Sequence, residues 1–205
     1  AKSKINTDKK IKKNLLRLAN LGKKRGLKIF VTDFAENIKT AQESYNLNLA
    51  NGFIPFTVKS VGTDYNFNAI TNILSRPINE NSKNVTGLKT VQNFLYLTDS
   101  SKFDRQQDFV IAISNTNYDV IIVDVFHKGR TPYSKAAVQG MKFKKLGARR
   151  LVFAYMNIGE AENYRYYWRD TWREGEPSFI SESIPANPDK HYVEYWQAGW
   201  RRIIT

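Results

Sequence analysis

The chain has 205 residues, the size of one ordinary domain, and its 41% apolar content with 12 Phe, 11 Tyr and 4 Trp excludes a wholly disordered polypeptide. It contains no cysteine, which excludes a disulfide framework, a thiolate nucleophile, an Fe–S cluster and Cys-ligated zinc. The net charge of +13 is uneven: residues 1–28 hold eleven Lys and Arg against the single acid Asp8, while residues 29–205 carry only +3.

The chain therefore divides into a basic N-terminal helix or arm, residues 1–27, and a body, residues 28–205. In the arm, Ile11, Leu15 and Leu18 set one apolar stripe on a helix from about 10 to 21, closed by Gly22. Lys28–Val31 reads as the first strand, followed by Asp33. Ile38, Ala41, Tyr45 and Leu49 then recur at helical spacing over 36–50, with Gly52 just past the end. Phe53–Val58 is the second predicted strand. Residues 60–91, rich in Asn, Ser, Gly and Thr, hold one short helical candidate near 67–74.

Phe94–Leu97 is the third strand, and Ser101 with Asp104 forms a capping-box pattern that predicts the next helix start. Val120–Val123 is a β-branched run of the kind buried on both faces, ended by Asp124. Ser134 caps a helix that Gly147 stops, and Arg150–Met156 is the fifth strand. The pattern then predicts a helical turn over Tyr164–Trp172, a Pro-bearing loop over 174–190, a sixth strand at Tyr192–Tyr195 and a terminal helix from about 197. Phe53–Val58 or Tyr192–Tyr195, if left as sheet edges, would pair with another chain, so self-association is an expectation. No apolar run approaches the roughly 20 residues that cross a bilayer, so no membrane span is expected.

Strands alternating with helices imply an α/β fold with a parallel sheet, either an open doubly wound sheet or a (β/α) barrel. Polar residues gather after the apolar runs: Asp33, Thr98 and Asp99, Asp124, then Asn157 and Glu160. In parallel α/β proteins that rim binds ligands. Hydrolysis of a glycan uses two carboxyl groups with separated roles, and Asp124 and Glu160 are the pair the residues nominate, with Asp33 third. Helix capping is the competing role for the two aspartates. Retention, with carboxyls about 5 Å apart, and inversion, at about 6.5–9.5 Å, both stay open. The two histidines, His127 and His191, lie outside any metal-ligand spacing, and no phosphate-binding glycine loop occurs, so neither a metal nor a nucleotide cofactor is expected. Aromatic residues of 164–172 and 192–200 interleave with Arg165, Arg169 and Arg173, a composition that suits sugar platforms, single-stranded nucleic acid or plain packing.

The segments YDVIIVD at 118–124, RLVFAYMNIGEAENYRYYW at 150–168 and HYVEYW at 191–196, with VTDF at 31–34, GFIPF at 52–56, PINEN at 77–81 and QNFLY at 92–96, resemble glycoside hydrolase family 114. These are the TM1410-like endo-α-1,4-polygalactosaminidases. The resemblance covers about 28–205. It implies a (β/α)8 TIM-barrel glycoside hydrolase with a sugar cleft at the C-terminal rim, acting on a galactosamine or N-acetylgalactosamine polysaccharide by carboxylate acid/base chemistry. It supports Asp124 and Glu160, the catalytic pair nominated above, as cleft residues, with Tyr155 and Arg165 beside them as substrate contacts; Asp33 and Asn157 of the strand-end rim and Trp168 and Trp196 of the aromatic segments complete the expected substrate-binding set. Members continue into a further strand of the pattern G-[FY]-D-G-V-Y-L-D, whereas this sequence stops at Thr205 after about six predicted strands. A full barrel takes about 250 residues, so the expectation is a barrel truncated at its C-terminal part, with the 205-residue chain alone inactive if an essential carboxyl lies beyond it. A secreted or cell-envelope location in a bacterium follows from the same resemblance.

The positive charge would repel a fully deacetylated, cationic glycan and favours a neutral or anionic one. Two other functions are carried as alternatives. One is a non-catalytic carbohydrate or envelope-binding protein on the same scaffold; the other is anionic-polymer binding through residues 1–28, with nucleic acid not the expected partner of the body.

Overall fold

The computed structural model describes residues 8–61, 64, 65, 68, 70 and 76–204. The helical candidate near 67–74 lies largely outside them. The chain forms two compact units, one made of Ala1–Val123 and Tyr133–Ala154, the other of Asp124–Pro132 and Tyr155–Thr205.

In the first unit, α1 (Lys9–Lys24) precedes β1 (Phe30–Ala35), α2 (Ile38–Ala50) and β2 (Ile54–Val61), with the short β3 (Asp64–Tyr65) on the far side of β2. β1 and β2 run parallel, Phe30 opposite Ile54 through Ala35 opposite Lys59, so a crossover must join them, and α2 supplies it. Asn37 starts α2: its Oδ1 accepts from Thr40 N at 3.0 Å while Thr40 Oγ1 accepts from Asn37 N at 3.3 Å. A second parallel pair joins β4 (Phe94–Leu97) to β5 (Val120–Asp124), with β8 (Leu151–Tyr155) beyond β5. The helices α3 (Gln106–Ser114) and α4 (Lys135–Met141) occupy the connections. Four of the five β5 residues are apolar and three of these are buried, as expected of a strand covered on both faces. They join Phe94, Leu95, Phe109, Ile113 and Met141 in the main core. Phe94 packs edge-on against Phe30 at 5.0 Å.

Arg150 is buried, and among the described residues no carboxylate is paired with it. It donates instead to Thr116 Oγ1 at 2.8 Å and to the carbonyls of Thr116 at 2.8 Å and Ile113 at 3.2 Å, at and just past the C-terminal end of α3 where a cation is favoured, and to Phe143 O at 3.0 Å. Burial lowers its pKa to about 10, with the Asp119 charge opposing that shift.

The second unit holds a hairpin of β6 (Phe126–His127) and β7 (Thr131–Pro132), and an antiparallel sheet in the order β10 (Ile180–Ile184), β11 (Asn187–Val193), β9 (Glu160–Glu162). The terminal α5 (Ala198–Ile204) follows. Its core gathers Ala161, Phe179, Ile180, Val193 and Trp200, with Tyr167, Trp168 and Trp172 partly buried around them.

The α/β class is thus present, with parallel strand pairs and five helices among the described residues. Those residues form no closed barrel. Several local expectations are corrected. α1 runs through Gly22 to Lys24, and Gly26, at φ +83°, takes the left-handed position instead. α3 starts at Gln106 rather than after Ser101, because Ser101 Oγ is held by Asp99 Oδ2 at 3.0 Å and Asp108, not Asp104, accepts from the N–H of the residue before the helix. α4 ends at Met141, six residues before Gly147. No helix forms over 164–172, which makes tight turns, and the predicted loop at 174–190 contains β10 and most of β11. The predicted sixth strand ends at Val193 and pairs antiparallel with β9 and β10, outside any parallel sheet. β11 is the central strand of three, so Tyr192 and Val193 are not the sheet edge expected above, whereas β3 pairs only with Ser60 and Val61 of β2, and the strand paired with Ile54–Val58 in that sheet is β1.

Candidate functional site

Asp124 is the last residue of β5, and its Oδ1 accepts from Phe126 N at 2.9 Å, turning the chain into the β6–β7 hairpin. Arg165 grips both of its oxygens, Nη1 to Oδ1 at 3.0 Å and Nη2 to Oδ2 at 2.7 Å, the two-pronged geometry that a guanidinium matches to a carboxylate. Arg165 Nε reaches Glu162, the third residue before it in the same turn, whose backbone carbonyl accepts from Arg165 N at 3.1 Å. The guanidinium also lies over the ring of Phe126 at 5.3 Å and that of Tyr164 at 5.6 Å.

β9 reads Glu-Ala-Glu, so strand alternation turns Ala161 into the core and puts Glu160 and Glu162 on the opposite face. The antiparallel register sets Lys190 directly across from Glu162. Lys190 Nζ is 2.9 Å from Glu162 Oε1 and 3.4 Å from Glu160 Oε2. Asn157 Nδ2 donates to Glu160 Oε2 at 2.7 Å, while its Oδ1 accepts from Gly159 N at 3.1 Å and holds the turn before the strand. Three carboxylates and two cations therefore form one linked cluster with one net negative charge.

Burial works against the charge on Arg165, but the hydrogen bonds and charges of Asp124 and Glu162 outweigh it and hold the guanidinium more firmly protonated than usual. Burial likewise opposes ionisation of Glu162, and the hydrogen bonds from Lys190, Tyr164 and Arg165 overcome it, leaving the carboxyl below its ordinary range. Lys190 loses from burial and gains more from Glu162 and Glu160, so its pKa rises. Burial raises Tyr155 and Tyr164, with the Glu162 carboxylate adding to both, so each stays a phenol able to donate. Asp124, Tyr155, Asn157, Glu162, Arg165 and Tyr166 line a cavity of about 130 Å³. That is well under the roughly 300 Å³ of a pocket that engulfs a drug-sized ligand, and it suits a single polar group of a larger molecule.

The depressed Glu162 carboxyl has a consequence for acid stability. Its contribution is complete above the ordinary glutamate value of 4.5 and is lost as pH falls through the lower folded value. All four tryptophans, Trp168, Trp172, Trp196 and Trp200, lie in this unit, so their fluorescence reports it selectively. The acid limb of a plot of fluorescence-detected unfolding midpoint against pH is expected to flatten in Glu162→Gln; an unchanged limb would mean that the carboxylate is not held ionised.

The structure brings Asp124, Tyr155, Asn157 and Arg165 to one cavity, and links Glu160 to it through Asn157 and Lys190. Trp168 stacks on His191 with centroids 5.0 Å apart and packs edge-on against Trp172. Trp196 is 61% exposed beside Tyr195. Asp33, expected on the rim after a strand ending at Val31, lies instead inside β1 in the other unit, where it accepts from Ser44 Oγ at 2.6 Å and Asn48 Nδ2 at 2.8 Å and ties α2 to β1. Sequence reasoning missed Glu162, Tyr164 and Lys190. The alternation of Glu160 and Glu162 about Ala161 is the one signal that would have found Glu162; Lys190 carries none. Among the described residues no group of His, Asp and Glu side chains is arranged to hold a metal ion.

No protein-family model matches the chain. It is similar to an uncharacterized protein of Methanocaldococcus jannaschii, 31% identical over 127 residues that make up 60% of this chain and 35% of the relative. It is also 31% identical over 96 residues to an uncharacterized protein of Thermotoga maritima, covering 46% of this chain and 28% of the relative. An uncharacterized protein of Deinococcus radiodurans matches over 96 residues at 31% identity, covering 45% and 28%. The chain thus spans about a third of the length of the curated relatives it matches.

Proposed function

We propose that the chain belongs to a glycoside hydrolase of the endo-α-1,4-polygalactosaminidase-like type, secreted or held at a bacterial cell envelope, whose catalytic body is a (β/α)8 barrel of which this chain supplies part. The observation that carries this is the carboxylate cluster at the end of β5, with Asp124 clamped by Arg165 and two phenols nearby. Hydrolysis delivers a proton to the glycosidic oxygen, breaks its bond to the anomeric carbon and places water's oxygen on that carbon. Asp124, fixed in the cavity, is placed to stabilise the positive charge that develops on the sugar ring. Glu160 is the proton donor in this scheme, because its side chain is 29% exposed and its cation contact, at 3.4 Å, is the longest in the cluster. Tyr155, Asn157 and Arg165 orient the sugar.

The test is reducing-sugar release from galactosaminan with and without N-acetyl groups. Asp124→Asn and Glu160→Gln are expected to lower the rate by at least about 100-fold. Release by either variant at the rate of the unaltered protein would overturn the assignment. A second function, sugar binding without turnover, is favoured by one observation: each carboxylate of the cluster already faces a cation, while Tyr195 and Trp196 stand exposed as an aromatic platform. Glycan retained by the unaltered chain and the amide variants alike, with no sugar released, is its expected signature.

A further inference from the structure

We propose that α1 docks the chain on the surface of an anionic lipid bilayer, lying in the plane of the interface. The inference stands on α1 alone and does not depend on the chemistry of the carboxylate cluster.

α1 is 16 residues long, about 24 Å, and contains no acid; Asp8 caps it, accepting from Lys10 N at 2.6 Å. At 100° per residue, Ile11, Leu15 and Leu18 share one stripe, and Lys9, Lys13, Arg17 and Lys24 fall on the other side. A leucine stripe of this kind ordinarily turns into the core. Here it does not: Ile11, Leu15 and Leu18 are 54%, 58% and 52% exposed, and no α1 residue is buried. Leu16, Ala19 and Asn20, which reach round the helix from the stripe to the side of Lys9 and Lys13, are with Gly22 the better covered positions of the helix. Even there the packing is open, since a cavity of about 480 Å³ lies between Leu15, Leu16 and Ala19 of α1 and Val31, Leu47 and Phe53. The hydrogen bond from Lys23 Nζ to Asn51 O, 2.6 Å, tethers the helix near its C-terminal end.

Charge selects the occupant. A second copy of the chain would bring two segments of +10 together and repel. A nucleic acid would neutralise the lysines and leave the leucines in water. An anionic bilayer satisfies both faces, taking the apolar stripe into the boundary between headgroups and acyl chains while lysines and arginines reach the phosphates. Among the described residues no helix is long and apolar enough to cross a membrane.

Flotation of the 205-residue chain with vesicles tests this. The chain is expected to float with phosphatidylcholine vesicles containing about a third phosphatidylglycerol, to remain behind with pure phosphatidylcholine, and to detach as salt is raised. Lys9→Gln, Lys13→Gln and Arg17→Gln together should lower the partition coefficient about 100-fold, some fivefold per charge. Ile11→Glu with Leu18→Glu, two exposed positions that do not line the cavity, should lower it at least about tenfold with the circular dichroism spectrum unchanged. Leu15→Glu is the second apolar variant, should that pair disturb folding. Equal binding to both vesicle types, undiminished binding by the glutamate variants, or capture of a duplex oligonucleotide in preference to vesicles would each overturn the proposal.

Discussion

Lys144→Met is expected to lower the stability of the first unit by about 3–5 kcal/mol, a fall on the order of 10 °C in the midpoint read by circular dichroism at 222 nm. Lys144 and Asp119 form an ion pair of 2.6 Å with both side chains at 0% exposure. Further hydrogen bonds surround it. Lys144 Nζ donates to Asn81 O, Asn81 Oδ1 and Lys83 O at 3.0–3.1 Å, and Asp119 Oδ2 accepts from Gln92 N at 2.7 Å. The knot ties residues 81–92 to the start of β5. Removing the lysine alone strands a carboxylate in a site closed to water, which is the costly half of breaking a buried pair. Replacing both partners, as in Lys144→Met with Asp119→Leu, should recover part of the loss, because no lone charge remains; the N–H of Gln92, the side-chain amide of Asn81 and the Asn81 and Lys83 carbonyls, all bonded to the pair, are left as the residual cost. A loss under about 1 kcal/mol for Lys144→Met would mean that water reaches the pair.

Arg165→Met is expected to remove about 3 kcal/mol from the second unit, followed by tryptophan fluorescence, because Asp124 and Glu162 share this one guanidinium and are 12% and 7% exposed. Arg165→Lys separates charge from shape. An ammonium keeps the positive charge but cannot meet both Asp124 oxygens while also reaching Glu162 and the Gly129 carbonyl, 3.3 Å from Nη1. The lysine variant should therefore fold with most of its stability and lose about 100-fold in the sugar release proposed above, since it frees Asp124 to shift by an ångström or more. Full activity in Arg165→Lys would show that the fork is not what positions Asp124.

Much of the first unit was legible. Phe94–Leu97 was read to the residue, and Val120–Val123 was one residue short, because a strand buried on both faces is an unbroken apolar, β-branched run. Ser134 was identified as the cap of α4, and its Oγ accepts from Ala137 N at 3.1 Å. Little of the second unit was legible beyond its last helix, expected from about 197 and found at Ala198–Ile204. β10 and β11 read Ile-Ser-Glu-Ser-Ile and Asn-Pro-Asp-Lys-His-Tyr-Val, polar and proline-bearing, since most of their side chains lie outside the core. The start of α3 was misplaced because Ser101 has two uses for its hydroxyl, a helix cap or a turn with Asp99, and only the surrounding chain chooses between them.

The two aspartates that bracket β5 show where sequence stops. Asp119 and Asp124 flank the same apolar run, and Lys144 sits among Lys142 and Lys145 in a stretch that looks like solvated surface. Apolar run length and helical spacing are local quantities, so the sequence by itself determined the α/β class, most elements of the first unit, the basic arm and the place of Asp124 at the end of β5, but not those of Asp33, inside β1, or Glu160, which opens β9. Pairing of charges is not local. Lys144 meets Asp119 across 25 residues, Arg165 meets Asp124 across 41 and Lys190 meets Glu160 across 30. Only the tertiary structure decided which carboxylate is sealed in a buried knot and which one opens into a cavity, because that depends on what chain closure brings within a few ångströms and on how much water it leaves there.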